Sequence, residues 1–362
     1  MAKPNAGLET VFVAEASSEF PRQSEASALE LRDGSILIIW QQFRFGEGDS
    51  DFWPSQLAAM TSRDGGRTWG DYRVLVKTAP GDTNVYNPNL LRMPTGEVFF
   101  FWQAYHKPWE GGSRAPSSIH LWASTDEART FKPLSLVTDH QAPSLASSIV
   151  KCFRSGRIML PFSSDTSKGP EHPDHYVGGV LYSDDAGRSW KQSRNVIDLP
   201  MRGVMETHVE ETRDGRVLMV MRTQLGAVFM SESADGGDSW SKPQTTGLRA
   251  PESCPDILRI PSTGDLLMVW NNAPYDPSHF SHYGKRTPLT TAVSRDEGRS
   301  WQNPKNIETD PDWAFTNPGT CSTSKGTALI NYWCSKYKPS GAMDGEWIHL
   351  KLAIVDVEWF YK

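Results

Sequence analysis

The stretch Ser62-Arg63-Asp64-Gly65-Gly66-Arg67-Thr68-Trp69 decides the fold, because it does not stand alone. The pattern Ser-x-Asp-x-Gly-x-x-Trp returns at Ser183, Asp185, Gly187 and Trp190, at Ser233, Asp235, Gly237 and Trp240, and at Ser294, Asp296, Gly298 and Trp301. A worn copy carries Ser124, Asp126, Ala128 and Phe131. Each box reads as a hairpin turn. Ser and Asp bond nearby backbone amides, Gly takes a conformation other residues resist, and Trp fills the space between neighbouring units.

A second repeat runs in register with the first. Gly34, Gly96, Gly156, Gly215, Gly264 and Gly326 each precede a short apolar run, at spacings of 62, 60, 59, 49 and 62 residues. Six residues after these glycines stand Trp40, Trp102, Phe162, Met221, Trp270 and Tyr332. A period near 60 with about four strands per unit predicts a propeller blade, and six blades account for all 362 residues. The expected architecture is all-β, a six-bladed β-propeller forming one domain over residues 1–362. The closing strands of the last blade are expected within 347–359, with a strand near 10–14 completing the ring.

Composition narrows the function. A formal charge of −6 without any Lys/Arg-rich run argues against a nucleic-acid partner. No apolar run approaches the roughly 18 residues of a membrane helix. Cys152, Cys254, Cys321 and Cys334 lie far apart without zinc-site spacing, and no secretory core opens the chain, so reduced thiols in a cytoplasmic protein are expected. No phosphate-binding loop, dinucleotide fingerprint or nucleophile elbow occurs, so no cofactor and no metal is expected.

In a propeller the innermost strands line a central channel, and its mouth is the usual site. Nine residues before the turn glycines stand Glu25, Asn87, Ser147, Glu206, Pro255 and Asn317; a longer turn in the fifth unit moves its equivalent to Glu252, Ser253 or Cys254. Seven residues after them stand Gln41, Gln103, Ser163, Arg222, Asn271 and Trp333. The two series read as inward-facing polar rings around a wet channel. Glu206 and Arg222 stand out, since a charge near the axis requires a partner or a ligand. His208 projects to the same side of a regular strand as Glu206. Among the loop histidines His172, His175, His279 and His282, His175 beside Tyr176 is the best candidate for a ligand contact. Trp53, Tyr105 and Trp109 either stack on a sugar or pack their own loops.

With these motifs the chain resembles the sialidase (neuraminidase) superfamily of six-bladed propellers with Asp-box repeats. The resemblance implies three arginines that clamp a carboxylate, a tyrosine nucleophile assisted by a glutamate, and an aspartate acid/base. Glu206 resembles the family glutamate, Arg222 the second arginine and Arg286 the third. Glu25 stands where the first arginine should fall, with Arg22 nearby but out of register. Phe315 stands at the tyrosine position, and a phenyl ring cannot attack an anomeric carbon. Asp49 or Asp51 resembles the acid/base aspartate.

These departures predict little or no activity on sialosides and leave a carboxylate-rich pocket containing arginines. Two carboxyl groups facing one glycosidic bond are the general toolkit for glycoside hydrolysis. Glu206 is the expected base or nucleophile, Glu25 and Asp51 compete for the acid, and Glu252 is a further candidate. Arg222, Arg286, His208, Asn87, Gln103, Glu252, Asn317 and His175 are the expected contacts to a carbohydrate substrate. The expected function is exo-acting glycoside hydrolysis with a modified sialidase-like site, on an acidic or a plant or bacterial glycan sugar. A lyase acting on uronic-acid glycans and a noncatalytic carbohydrate-binding propeller are the alternatives.

Overall fold

The apolar runs after the turn glycines are strands covered on both faces. Ile36, Ile38 and Trp40 pack to one side against Leu350 and Leu352, while Leu37 and Ile39 pack to the other against Phe100 and Trp102. Alternation along a strand sends successive side chains to opposite faces, so a sheet sandwiched between two others is apolar throughout. The computed structural model describes residues 6–107, 116–139, 143–166, 175–279 and 282–362. Six hydrophobic clusters lie between adjacent blades.

The described strands form six four-stranded antiparallel sheets. Blade 1 contains β2 (Arg22–Glu30), β3 (Ile36–Phe43), β4 (Ser55–Ser62) and β5 (Gly70–Lys77). Blade 2 contains β6 (Asp82–Arg92), β7 (Val98–His106), β8 (Ser117–Ser124) and β9 (Lys132–Thr138). Blade 3 contains β10 (Lys151–Cys152), β11 (Ile158–Asp165), β12 (Tyr176–Ser183) and β13 (Lys191–Gln192). Blade 4 contains β14 (Met205–Glu211), β15 (Val217–Arg222), β16 (Ala227–Ser233) and β17 (Gln244–Arg249). Blade 5 contains β18 (Asp256–Arg259), β19 (Leu266–Asn271), β20 (Leu289–Ser294) and β21 (Gln302–Glu308). Blade 6 takes β22 (Trp313–Ser322), β23 (Thr327–Lys336) and β24 (His349–Asp356) from the end of the chain. Its outermost strand, β1 (Leu8–Ala14), comes from the beginning and closes the ring.

The boxes form the hairpins between the third and fourth strands. In the first, Ser62 Oγ accepts the Gly66 N–H at 2.8 Å, and Asp64 accepts the Thr68 N–H at 2.8 Å and the Thr68 hydroxyl at 2.6 Å. The bond to the Thr68 hydroxyl, with the others, holds the Asp64 carboxyl down to about 2. The same bonds recur at Asp126, Asp185, Asp235 and Asp296. Gly187 shows why glycine is required. Its φ is 81°, and a Cβ there would stand 2.4 Å from Leu121 on the preceding blade.

The first polar ring is built by bulges. Glu25, Asn87, Glu206 and Asn317 have φ between 44° and 51°, and each sits where the pairing of an innermost strand slips. A bulge turns a side chain out of the regular pleat. Blade 3 uses Ser148 (φ 61°), one residue beyond the expected Ser147. Its hydroxyl donates to the Ala26 carbonyl at 2.9 Å, joining blade 3 to blade 1.

The second ring is not a channel lining. Gln41 donates to the Val85 carbonyl, Asn271 to the Phe315 carbonyl, and Trp333 Nε1 to Glu25 Oε1. Ser163 Oγ accepts the Glu206 N–H, and Arg222 binds Glu252. Gln103 donates to Ser117 Oγ and the Pro143 carbonyl and accepts the Leu145 N–H. All six residues reach the next blade around the ring. At that depth a polar side chain must find a protein partner, and the nearest is the neighbour's inner strand. Gln103→Ala removes three hydrogen bonds from a wholly buried position. It is expected to cost about 2–4 kcal/mol of stability. A thermal or urea unfolding midpoint equal to wild type would contradict the clamp role.

Candidate active site

Antiparallel blades separate turns from chemistry. The turn glycines and boxes occupy one end of the propeller. The opposite end carries the starts of the inner strands, the ends of the second strands and the connections between blades. Glu25 and Arg22 lie at the start of β2, Glu206 at the start of β14, Arg222 at the end of β15 and Asn317 in β22. Asp51, Arg202, Glu252 and Arg286 come from connecting segments at that same end.

Asn317 holds two carboxyl groups together. Its amide nitrogen donates to Glu25 Oε1 at 2.9 Å and lies 3.4 Å from Glu206 Oε1. Glu25 is 4 % exposed. Burial, reinforced by the Glu206 charge, pushes its carboxyl up to about 7. Burial acts on Glu206 in the same direction. The guanidinium groups of Arg222 and Arg286 outweigh it and hold Glu206 below the usual carboxylate range. Arg222 Nη1 donates to Glu206 Oε2 at 2.8 Å, and its Nη2 to Glu252 Oε1 at 2.9 Å.

Three further groups complete the cluster. Glu252 also binds Arg202 and accepts from Gln224 Nε2 at 2.9 Å. Arg22, buried, pairs with Asp51 at 2.5 Å and donates to Ser50 Oγ at 2.7 Å. Tyr86 donates to the same Asp51 oxygen at 3.2 Å. Burial would raise the Asp51 carboxyl, but Arg22 brings it below its ordinary value. Arg286 donates to Thr316 Oγ1 and to the Glu252 carbonyl. Its buried Nε has no partner among the described residues. Burial and the nearby Arg222 pull its pKa down to about 10. Among the described residues no three His, Cys, Asp or Glu side chains are grouped to hold a metal ion.

Residues 56–330 match the family of BNR repeat-like domains. The chain belongs to that family. It is a sialidase-like propeller. The sialidase of Micromonospora viridifaciens is 25% identical over 307 residues, which cover 76% of this chain and 43% of that protein. The chain thus spans less than half the length of that relative. A protein of unknown function from Dyadobacter fermentans superposes with a TM-score of 0.74 at 18% identity, covering 97% of this chain and 99% of that one. The NanB sialidase of Streptococcus pneumoniae, as a K499G mutant, gives 0.74 at 13% identity, covering 97% and 71%.

The BNR propeller brings Glu25, Asp51, Glu206, Arg222, Arg286, Glu252 and Asn317 to one end and engages four other expected contacts in bonds within the framework. Asn87 donates to the Leu145 carbonyl and accepts from Ser147, so its amide joins blade 2 to blade 3. Gln103 is a clamp. His208 is fully buried, with Nδ1 2.8 Å from Asp256 and Nε2 3.4 Å from Cys254. The bulge beside Glu206 breaks the alternation that would have put the two on one face. His175 contacts the Met201 carbonyl and Asp198, and so steadies the segment that carries Arg202. Phe315 packs in the core between blades 5 and 6, away from Asn317. Trp53 packs against Phe45 in its own loop, Tyr105 in β7 meets Tyr86 edge-on beside Asp51 and bonds Ser144, and Trp109 and His172 lie outside the described residues. Counting along the strands missed Arg22, Arg202 and Gln224. Arg22 precedes the first bulge, and the other two lie in segments without a repeating register.

Proposed function

We propose that the protein is an exo-acting glycoside hydrolase for an acidic sugar, with Glu25 as general acid and Glu206 as nucleophile or base. One observation carries the reading: a single amide holds two carboxyl groups whose surroundings displace their protonation in opposite directions. Such pairs assign acid and base. Asp51 is the weaker acid candidate, because Arg22 keeps it ionised. Both Oε1 atoms lie within reach of Asn317 Nδ2, which favours the ~5–5.5 Å separation of retaining enzymes over the ~6.5–9.5 Å of inverting ones.

In this scheme Glu25 gives its proton to the leaving oxygen while Glu206 bonds to the anomeric carbon and the glycosidic C–O bond breaks. Glu25, now a carboxylate, takes a proton from the water that displaces Glu206. Arg286, the buried guanidinium without a carboxylate partner in hydrogen-bond contact, is suited to the substrate's carboxylate. Below about pH 7 a protonated Glu25 does not repel that carboxylate, which removes one objection raised by the sequence. The lyase reading loses His208 as a base, since both of its ring nitrogens are engaged inside the fold.

The test is a panel of aryl glycosides and acidic oligosaccharides. Release of a reducing sugar without new ultraviolet absorption supports hydrolysis; an absorbing double bond in the product would sink it. On the substrate so found, kcat/KM is expected to fall above about pH 7 as Glu25 loses its proton. Stability follows the same sign. A raised carboxyl contributes fully below its ordinary range and loses that contribution as pH rises through about 7. Glu25→Gln is therefore expected to abolish the activity limb and to raise the melting temperature at pH 8 but not at pH 4. An unchanged limb in this variant would remove Glu25 from the mechanism.

A further inference from the structure

An open cleft of about 580 Å³, lined by polar and apolar side chains alike, lies between blades 1 and 6, outside the cluster just described. Buried amides form its floor. Gln23 Oε1 accepts from Trp40 Nε1 at 2.7 Å and from Gln42 Nε2 at 3.1 Å. Gln42 Oε1 accepts from Gln56 Nε2 at 3.0 Å and from the Tyr72 hydroxyl at 2.7 Å. Gln56 Nε2 also donates to Tyr72 at 3.1 Å. Tyr72 is 50 % exposed, and its ring meets Trp40 edge-on at 6.2 Å.

This relay fixes each amide. It leaves one Gln42 amide hydrogen and the Gln56 carbonyl oxygen without a side-chain partner among the described residues, a donor and an acceptor on residues that line the cleft with Tyr72. A vicinal diol presents the complementary pair, and the half-exposed Tyr72 face offers the apolar surface a pyranose presents in return. Arg44 pairs with Glu19 at 2.8 Å at the rim, and Glu15 and Lys77 add one charge of each sign. The balance favours an uncharged ligand. The volume falls within the ~300–1,000 Å³ of small-molecule sites.

We infer that this cleft is a second carbohydrate site, for neutral sugar residues. It is separate from the carboxylate cluster and independent of the catalytic reading. The experiment is saturation-transfer NMR of the intact chain with neutral hexasaccharides of glucose, xylose, mannose and galactose. At least one is expected to bind, and Tyr72→Ala and Gln56→Ala are each expected to weaken it about tenfold. Both positions lie on outer strands, and circular dichroism checks that the variants fold. Glu206→Gln and Arg286→Ala are expected to bind the same sugar with wild-type affinity. The inference is overturned if none of the sugars binds at millimolar concentration. It is also overturned if binding survives Tyr72→Ala but is lost in Arg286→Ala, which would put the sugar in the carboxylate cluster. Loss of hydrolysis alone bears on the catalytic reading and not on this one.

Discussion

Glu206→Gln is expected to lower turnover by at least about a hundredfold, and by more if Glu206 is the nucleophile. The substitution keeps volume and removes charge. Arg222 retains Glu252 and can still donate to the new amide oxygen, so the clamp between blades 4 and 5 stays in place. The melting temperature is expected to change little beside the loss of activity. A second readout separates chemistry from packing. The Glu206 charge is one reason Glu25 holds its proton to about pH 7. Removing it is expected to move the upper limb of the residual pH profile to lower pH, while burial keeps Glu25 above an ordinary carboxylate. Activity near wild type would overturn the site assignment. Activity lost together with the fold would make Glu206 a structural ion-pair partner.

The boxes and turn glycines made blade number and order legible because they satisfy local backbone needs, and local needs leave a fixed spacing. The Thr or Ser before each box Trp or Phe (Thr68, Thr130, Ser189, Ser239, Ser300) carries the same information and belongs to the motif by its bond to the aspartate. Glu25, Glu206 and Asn317 were legible for a related reason, since their bulges keep a constant distance from the turn glycine. The bulge also limits the reading. It displaces His208 from Glu206's face, and it puts Arg22 inside the cluster although simple counting sets it aside. Polarity alone could not distinguish a residue aimed at the axis from one aimed sideways. Gln41, Gln103 and Asn271 are polar because they bond the neighbouring blade. Arg202 enters from an irregular connection, where a sequence offers no register to count.

Arg222→Ala is expected to have the largest effect on stability, which revises the role of substrate clamp suggested by its place in the sequence. Arg222 is buried and bonded to Glu206 and Glu252, and Glu252 is 1 % exposed. Removing the guanidinium leaves the buried Glu252 and the half-buried Glu206 each short of a partner, and breaking a buried pair such as Arg222–Glu252 costs about 3–5 kcal/mol. The loss should depend on pH. Arg222 holds both carboxyls below their ordinary range, and the stability this gives is present above that range and lost as pH falls through the lowered values. In the variant both carboxyls should bind protons more readily, so the deficit should narrow from pH 7 toward pH 5. Adding Glu252→Gln to Arg222→Ala should recover part of it, because the double variant no longer buries that charge. Arg286→Ala is the contrasting case. Arg286 donates only to a hydroxyl and a carbonyl, so its loss should raise KM for an acidic substrate with a smaller fall in melting temperature. Unfolding curves of the three variants at pH 7 and pH 5, beside their KM values, separate the roles. If Arg222→Ala keeps the wild-type melting temperature and only raises KM, then Arg222 is the substrate clamp and the blades are held together without it.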